Sequence, residues 1–258
     1  LVCTGENMPL DLLMVRDDDI PGLLEDGSCE AGVAGLNVLE EHRIGRQGEE
    51  GFSVWRELDF GGCRLAVAVP ERSDVNSVEA LSGRRIATTY PGMTKRYFTR
   101  LGIAVEVVVM SGAVELAPRL GKADAICDLV STGTTLKANH LRELETVFQS
   151  RAALAVSKRP MNKVNRNLLA TLERRMEGVL QVNGSKYVML HAPRAQLATI
   201  TAMLPGAESP TILPLEGDAD KVAVHAVCGE AVFWETLERL KAAGASTLLV
   251  LPIEKMLA

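Results

Sequence analysis

Apolar positions along the chain recur in two rhythms, every second residue in short runs and every third or fourth in longer ones, with turn residues between them. Leu10–Val15 is mostly apolar and reads as a strand. Asp17, Asp18, Asp19 and Pro21 follow, and acids and proline both suit the first turn of a helix. The pattern predicts a short helix over Pro21–Glu25, its stop at Gly27, and a second short strand over Ala31–Ala34. Strands and helices alternating in this way predict a parallel α/β layer. After Gly61-Gly62, Arg64–Val69 alternates into a strand that Pro70 ends. Ile86–Thr89, Val105–Met110 and Ala125–Leu129 are further β-rich runs, separated by helical stretches at Met93–Leu101 and Ala113–Leu120. Leu144–Phe148 and Ala152–Val156 add two strands, and Asn162–Met176 reads as a charged amphipathic helix. A chain that leaves one α/β lobe, builds a second and then returns has the pattern of a two-lobed, hinged fold.

The last third has another rhythm. Lys186–His191, Thr211–Leu215, Val222–Val227 and Thr247–Leu251 read as strands, and Ala195–Met203 and Ala231–Ala243 as helices. That order, βαββαβ, predicts a ferredoxin-like sandwich with two helices on one face of a four-stranded antiparallel sheet. The expected domains are 1–62 with 146–182 as the first lobe, 63–145 as the second, and 183–258 as the ferredoxin-like domain.

The 258 residues carry 28 Lys+Arg against 33 Asp+Glu, a formal charge of −5. Nothing in that balance supplies the broad basic face that nucleic-acid binding needs. No apolar run reaches the roughly 18 residues of a membrane span, so no membrane partner is expected. Cys3, Cys29, Cys63, Cys127 and Cys228 are odd in number and scattered, which argues against a zinc site or a disulfide framework and for a reducing compartment. His42, His140, His191 and His225 are equally dispersed, and no protein metal site is expected from them.

Candidate chemistry concentrates in Ala125-Ile-Cys-Asp-Leu-Val-Ser-Thr-Gly-Thr-Thr-Leu136. Here an apolar strand ends at an acid, Asp128, and Ser131, Thr132, Gly133, Thr134 and Thr135 precede a helical segment. Hydroxyls, a glycine and the free amides of a helix start can hold a phosphate monoester, and a nearby carboxylate can accept hydrogen bonds from ribose hydroxyls. The same residues also suit an ordinary capped helix. Other positions carry two readings as well. Arg16 either holds a diphosphate or pairs with Asp17, Asp18 or Asp19. Tyr90 either stacks on a base or is a turn aromatic. Lys95 and Arg96 meet phosphates or form a solvated helix face, and Glu115 holds substrate hydroxyls or is an ordinary first-turn acid.

Taken together, Glu115, Gly121, Ala123, Ile126, Asp128-Leu129, Thr132-Gly133, Thr135 and Leu136 resemble the signature of the ATP phosphoribosyltransferase family. Arg16-Asp-Asp-Asp-Ile-Pro21, Asp59-Phe-Gly-Gly-Cys-Arg64, Ile86-Ala-Thr-Thr-Tyr-Pro91 and Ser111-Gly-Ala-Val-Glu-Leu-Ala-Pro118 are similar to other segments of that family. The C-terminal block resembles its long, self-regulated form, and the family's first strand would precede Leu1. The resemblance implies two lobes like those of type II periplasmic binding proteins, and a cytoplasmic enzyme of histidine biosynthesis. In its reaction adenine N1 of ATP attacks the anomeric carbon of phosphoribosyl pyrophosphate, with Mg²⁺ riding on the diphosphate. It further implies a homohexamer assembled from dimers and feedback inhibition by histidine. The substrate loop would be Asp128 with Ser131–Thr135, and Arg16, Tyr90 and Glu115 would serve ATP or the diphosphate. The effector would lie in the C-terminal domain, where Ser209, Thr211 and His191 are the candidates and Glu208 opens the loop. The rival expectation is a two-lobed small-molecule binding protein or a non-catalytic regulatory paralogue.

Overall fold

A computed structural model describes residues 1–46, 51–180, 182, 184–204, 209–229 and 234–256. By packing, the chain divides into two units, Leu1–Asn162 and Lys163 onward.

The first unit opens with a hairpin, β1 (Val2–Thr4) against β2 (Asp11–Leu13). The run expected to join a parallel layer is thus half of a separate two-stranded antiparallel sheet. Leu12, Leu13, Met14 and Val15 are exposed, so their apolar character did not signal a core strand. A 3₁₀ turn at Asp17–Asp19 leads into α1 (Ile20–Asp26), which has Pro21 in its first turn and stops at Gly27. Next come β3 (Ala31–Gly35), α2 (Leu36–Gly45) and β4 (Phe52–Glu57). Periodicity did not predict α2: three successive residues, Asn37, Val38 and Leu39, are buried, which blurs the single apolar face that marks a surface helix.

The second lobe runs through β5 (Cys63–Pro70), β6 (Arg85–Thr88), α3 (Pro91–Leu101), β7 (Glu106–Val109), β8 (Ala125–Val130), α4 (Thr134–Ala138) and β9 (Leu141–Ser150). Its five strands lie in the order β7-β6-β8-β5-β9, with β7, β6 and β8 mutually parallel and β5 antiparallel to both of its neighbours, β8 and β9. β5 is buried on both faces and sorts its residues by size. Leu65, Val67 and Val69 join a core with Ile86, Met93 and Phe98. Ala66 and Ala68 face the other way, toward Val114, Ile126, Val130 and Leu136. On that side the small side chains let a 3₁₀ turn at Val114–Leu116 and helix α4 lie close to the sheet. The helix expected over Ala113–Leu120 is only this turn, because Ala113 adopts a left-handed φ of 50° and Pro118 has no amide to donate.

The chain then returns to the first lobe as β10 (Ala152–Ser157). β10 lies between β3 and β4 and is antiparallel to both, so the first lobe's sheet is not the parallel layer expected from strand–helix alternation. The chain crosses between the sheets twice, around 58–62 and at Arg151. At these crossings Leu36 N donates to the Arg151 carbonyl (2.9 Å) and Ala152 N to that of Phe60 (3.0 Å). The two-lobed α/β architecture is therefore present. β9 runs unbroken across the boundary expected at 145/146.

The second unit begins with α5 (Lys163–Leu180), expected to close the first lobe but grouped here by packing; its Gly178 carbonyl accepts from Met256 N (2.9 Å). β11 (Lys186–Pro193), α6 (Leu197–Ala202), β12 (Thr211–Leu215), β13 (Asp218–Cys228), α7 (Trp234–Ala242) and β14 (Ser246–Pro252) follow. Their strands form an antiparallel sheet in the order β12-β13-β11-β14, the ferredoxin-like arrangement. Val188, Leu190, Val222 and Val224 bury one face against Ile200 and Leu240 of the helices. Glu208 and residues 231–233 of the expected last helix lie outside the described residues. No helix among the described residues is long and apolar enough to cross a membrane.

Candidate active site

The carboxyl ends of the parallel strands β6, β7 and β8 point to one rim of the second lobe, where an open α/β sheet offers its loops to ligands. β8 runs through Asp128 to Val130, one residue beyond the expected run, because Leu129 and Val130 still pair with Leu65 and Arg64 of β5. Asp128 therefore sits inside the strand, opposite Ala66, on the face it shares with Ile126 and Val130. It is partly buried, and its Oδ1 accepts from Leu129 N (2.8 Å). Burial pushes its carboxyl above the usual range, the Leu129 amide opposes that, and the nearby charge of Glu115 adds to it.

After Val130 the chain turns through Ser131, Thr132 and Gly133 into α4. Gly133 has φ 79°, a left-handed conformation that a side chain at this position would strain. Ser131, Thr132, Thr134 and Thr135 are exposed. The Thr132 and Thr134 hydroxyls lie 2.9 Å apart, and the amides of Thr132 and Gly133 donate to no partner among the described residues. Because α4 has only five residues, its dipole is small, and the loop's capacity for anions rests on these amides and hydroxyls.

A residue not singled out by the sequence reading holds this loop. Arg64 makes a two-pronged pair with Glu143 on β9 (Nε to Oε1 2.8 Å, Nη2 to Oε2 2.6 Å) and sends Nη1 to the Ser131 carbonyl (3.2 Å). The guanidinium holds the Glu143 carboxyl below its usual range. A cavity of ≈ 340 Å³ opens beside it, bordered by Ser131, Arg64 and the crossing residues Asp59, Phe60 and Arg151. The sequence signal for Arg64 was present only as the last residue of Asp59-Phe-Gly-Gly-Cys-Arg64.

The first lobe reaches the same rim through α2. Asn37 Nδ2 donates to the Tyr90 hydroxyl (2.9 Å), and the Glu41 carboxylate accepts from Gly92 N (2.6 Å) and Met93 N (2.8 Å) at the start of α3. Burial pushes the Tyr90 hydroxyl up to about 12; the Asn37 hydrogen bond opposes this, and the charges of Asp18, Asp17 and Asp128 reinforce it. The Asp17–Asp18 turn and Asp128 thus lie within electrostatic reach of Tyr90, and Glu115 within reach of Asp128.

Arg16 is exposed at the entry to that turn and pairs with none of Asp17, Asp18 or Asp19. Lys95 is also exposed, whereas Arg96 pairs with Glu40 of α2 (2.6 Å). Cys127 is buried, with its thiol pushed up to about 12 by burial. Among the described residues no group of three or more His, Cys, Asp or Glu is arranged to hold a metal ion.

In the second unit Ser209 and Thr211 are exposed at the start of β12. His191 lies on β11, which is separated from β12 by β13. Thr211 faces His225, and His191 faces Ala223. Tyr187 instead meets His225, with its hydroxyl 2.6 Å from Nδ1.

The profile of the HisG family, ATP phosphoribosyltransferase, matches residues 16–178, and that of the HisG C-terminal domain matches residues 183–255. Among solved structures, the ATP phosphoribosyl transferase (HisG:HisZ) complex from Thermotoga maritima is 28% identical, matches 66% of this chain and 79% of its own, and has a TM-score of 0.56. The alkanesulfonate-binding protein SsuA from Xanthomonas axonopodis pv. citri, bound to MOPS, is 15% identical over 92% of this chain and 74% of its own, with a TM-score of 0.46. The chain belongs to the ATP phosphoribosyltransferase family, phosphoribosyl-transferring enzymes of histidine biosynthesis, and carries that family's C-terminal domain as the long form does.

Proposed function

We propose that this chain joins ATP to phosphoribosyl pyrophosphate, with adenine N1 attacking the anomeric carbon and pyrophosphate leaving. The observation that carries this reading is the half-buried Asp128 carboxylate beside a hydroxyl-rich loop that Arg64 tethers. Ser131, Thr132, Gly133, Thr134 and Thr135 would wrap the 5′-phosphate with amides and hydroxyls, and Asp128 would accept the ribose hydroxyls. Tyr90, Glu115 and Arg16 would serve ATP and the diphosphate.

Adenine N1 has an available lone pair, so the reaction needs no side-chain base. What it needs is alignment of two anionic substrates and stabilisation of charge as the diphosphate departs. In this reading Mg²⁺ arrives on the substrate diphosphate and would neutralise the charge that develops as it departs. In this reading the enzyme is cytoplasmic and works as a homohexamer of dimers. Histidine inhibits it through the ferredoxin-like domain, near Ser209, Thr211 and His191.

Mixing the protein with ATP, phosphoribosyl pyrophosphate and Mg²⁺ should release pyrophosphate only when both substrates are present. Binding of either one without release would favour a binding protein or a non-catalytic paralogue. ATP methylated at N1 should be inert; turnover of that analogue would overturn the N1 assignment.

A further inference from the structure

We infer that Asn37 and Ser150 are positioning residues that fix the direction of the Tyr90 hydroxyl, so that it accepts from the first lobe and donates its proton into the cleft. The inference rests on the proposed reading of that cleft as the substrate site, and it starts from a buried relay that spans both lobes and a crossing strand. Asn37 is 4% exposed and Ser150 5% exposed. Asn37 N donates to Ser150 Oγ (3.1 Å), and Ser150 Oγ donates to Asn37 Oδ1 (2.7 Å). Asn37 Nδ2 then donates to the Tyr90 hydroxyl (2.9 Å).

The proton directions follow from accounting for every buried group. Were the Asn37 amide turned over, the Ser150 hydroxyl would receive two N–H groups and its own buried proton would have no acceptor. The 2.7 Å and 2.9 Å distances also match O–H···O toward serine and N–H···O toward tyrosine. Tyr90 thus has one lone pair engaged by Asn37, while no described residue accepts its proton. Gly35 is part of the device, since a Cβ there would run into Asn37 Oδ1.

The charges that act on the hydroxyl are acidic: Asp17 and Asp18 from the turn before α1, and Asp128 from β8, which Glu115 affects in turn; Glu41 of α2 is engaged by the amides of Gly92 and Met93 at the start of α3. In that setting the phenol remains protonated at neutral pH, which suits a donor aimed at a phosphate oxygen or at an adenine nitrogen other than N1. Asn37 and Tyr90 sit on different lobes, so the direction is set only while the lobes are together.

The test reverses the proton without changing shape. In Asn37→Asp the carboxylate can only accept, so the Tyr90 proton turns back toward residue 37. With both substrates saturating in turn, kcat/KM should fall about tenfold or more, the size of one charge-assisted hydrogen bond. In the Tyr90→Phe background the same substitution should cost far less, because no proton remains to aim, and that comparison separates aim from the added charge. The activity of Asn37→Asp relative to the unmodified protein should rise as pH falls, since a protonated carboxyl donates again. Ser150→Ala, which frees the amide to turn, should give a smaller loss with the same dependence on Tyr90, and thermal melts identify any variant that has simply unfolded. Equal losses with and without the Tyr90→Phe substitution, or a pH-independent ratio, would overturn the inference. An unmodified protein that releases no pyrophosphate would instead overturn the reading of the cleft.

Discussion

Asp128 sits where its charge is costly, partly withdrawn from water and facing Glu115, and that cost is the clearest residue-scale sign of use. Its folded pKa is raised, so it lowers the stability of the fold as pH rises through that value, and Asp128→Asn should leave the melting temperature at pH 7 unchanged or higher. The same variant should weaken phosphoribosyl pyrophosphate binding by about 1.5–3 kcal/mol, the range for a hydrogen bond to a charged group. Calorimetry showing unchanged affinity would remove Asp128 from the site. In the unmodified protein, affinity should fall on the acid side at a pH above the ordinary carboxylate range, and Glu115→Gln should move that limb downward. A limb that stays in place would mean Glu115 does not set it. Gly133→Val should be more damaging than either, since it strains a left-handed turn within the loop. Asp128 and the loop hydroxyls were legible from the order acid, hydroxyls, glycine, helix. Asn37, Ser150 and Glu41 were not, because each acts through a partner distant in sequence and belongs to no local pattern, and Arg64 showed only as the end of Asp59-Phe-Gly-Gly-Cys-Arg64.

At the scale of elements, β5 and β8 were readable as apolar alternation bounded by glycine, proline and hydroxyl residues, and the structure returns them nearly to the residue. Failures cluster where apolar residues do not mark the core, as in the exposed β2 hairpin, or where burial runs through successive residues, as in α2. Strand direction was the other loss: alternation of strands and helices does not reveal that a later strand will enter an earlier sheet. The link from β5 to the phosphate loop through Arg64 gives an element-level expectation. Arg64→Ala removes both the Glu143 pair and the Ser131 tether, so KM for phosphoribosyl pyrophosphate should rise about tenfold or more, on the scale of a lost charge-assisted bond, with ATP affected less. Equal effects on both substrates would mean that Arg64 supports the lobe as a whole and not the loop. Phe98→Ala, which empties a core site between the same sheet and α3, should instead lower stability by about 3–5 kcal/mol without substrate preference.

For the whole molecule, the βαββαβ order of the second unit was readable because each strand is bounded by turn residues and each helix carries its own apolar stripe. The position of β13 between β12 and β11 follows from that ferredoxin-like order and not from periodicity, which carries no trace of strand order within a sheet. Histidine inhibition, on the proposed reading, should be non-competitive with phosphoribosyl pyrophosphate, because the two ligands would occupy different domains coupled by about 1–3 kcal/mol. Ser209→Ala combined with Thr211→Val should relieve it while leaving uninhibited turnover intact. Steady-state kinetics showing direct competition, or full sensitivity in the double variant, would move the effector site elsewhere. The placement of β10 bears on something else, the order in which the molecule can assemble. β3 and β4 emerge early but share no hydrogen bonds; Leu154 must arrive opposite Val33 and Arg56 before either edge is satisfied. During synthesis the first lobe therefore waits, with an open sheet, until the second lobe has been made and the chain has come back through it. Such a late, long-range closure makes folding slow and leaves unpaired edges open to other chains. In pulse-labelled hydrogen exchange, the amides of β3, β4 and β10 should become protected together and after those of β5, β6 and β8.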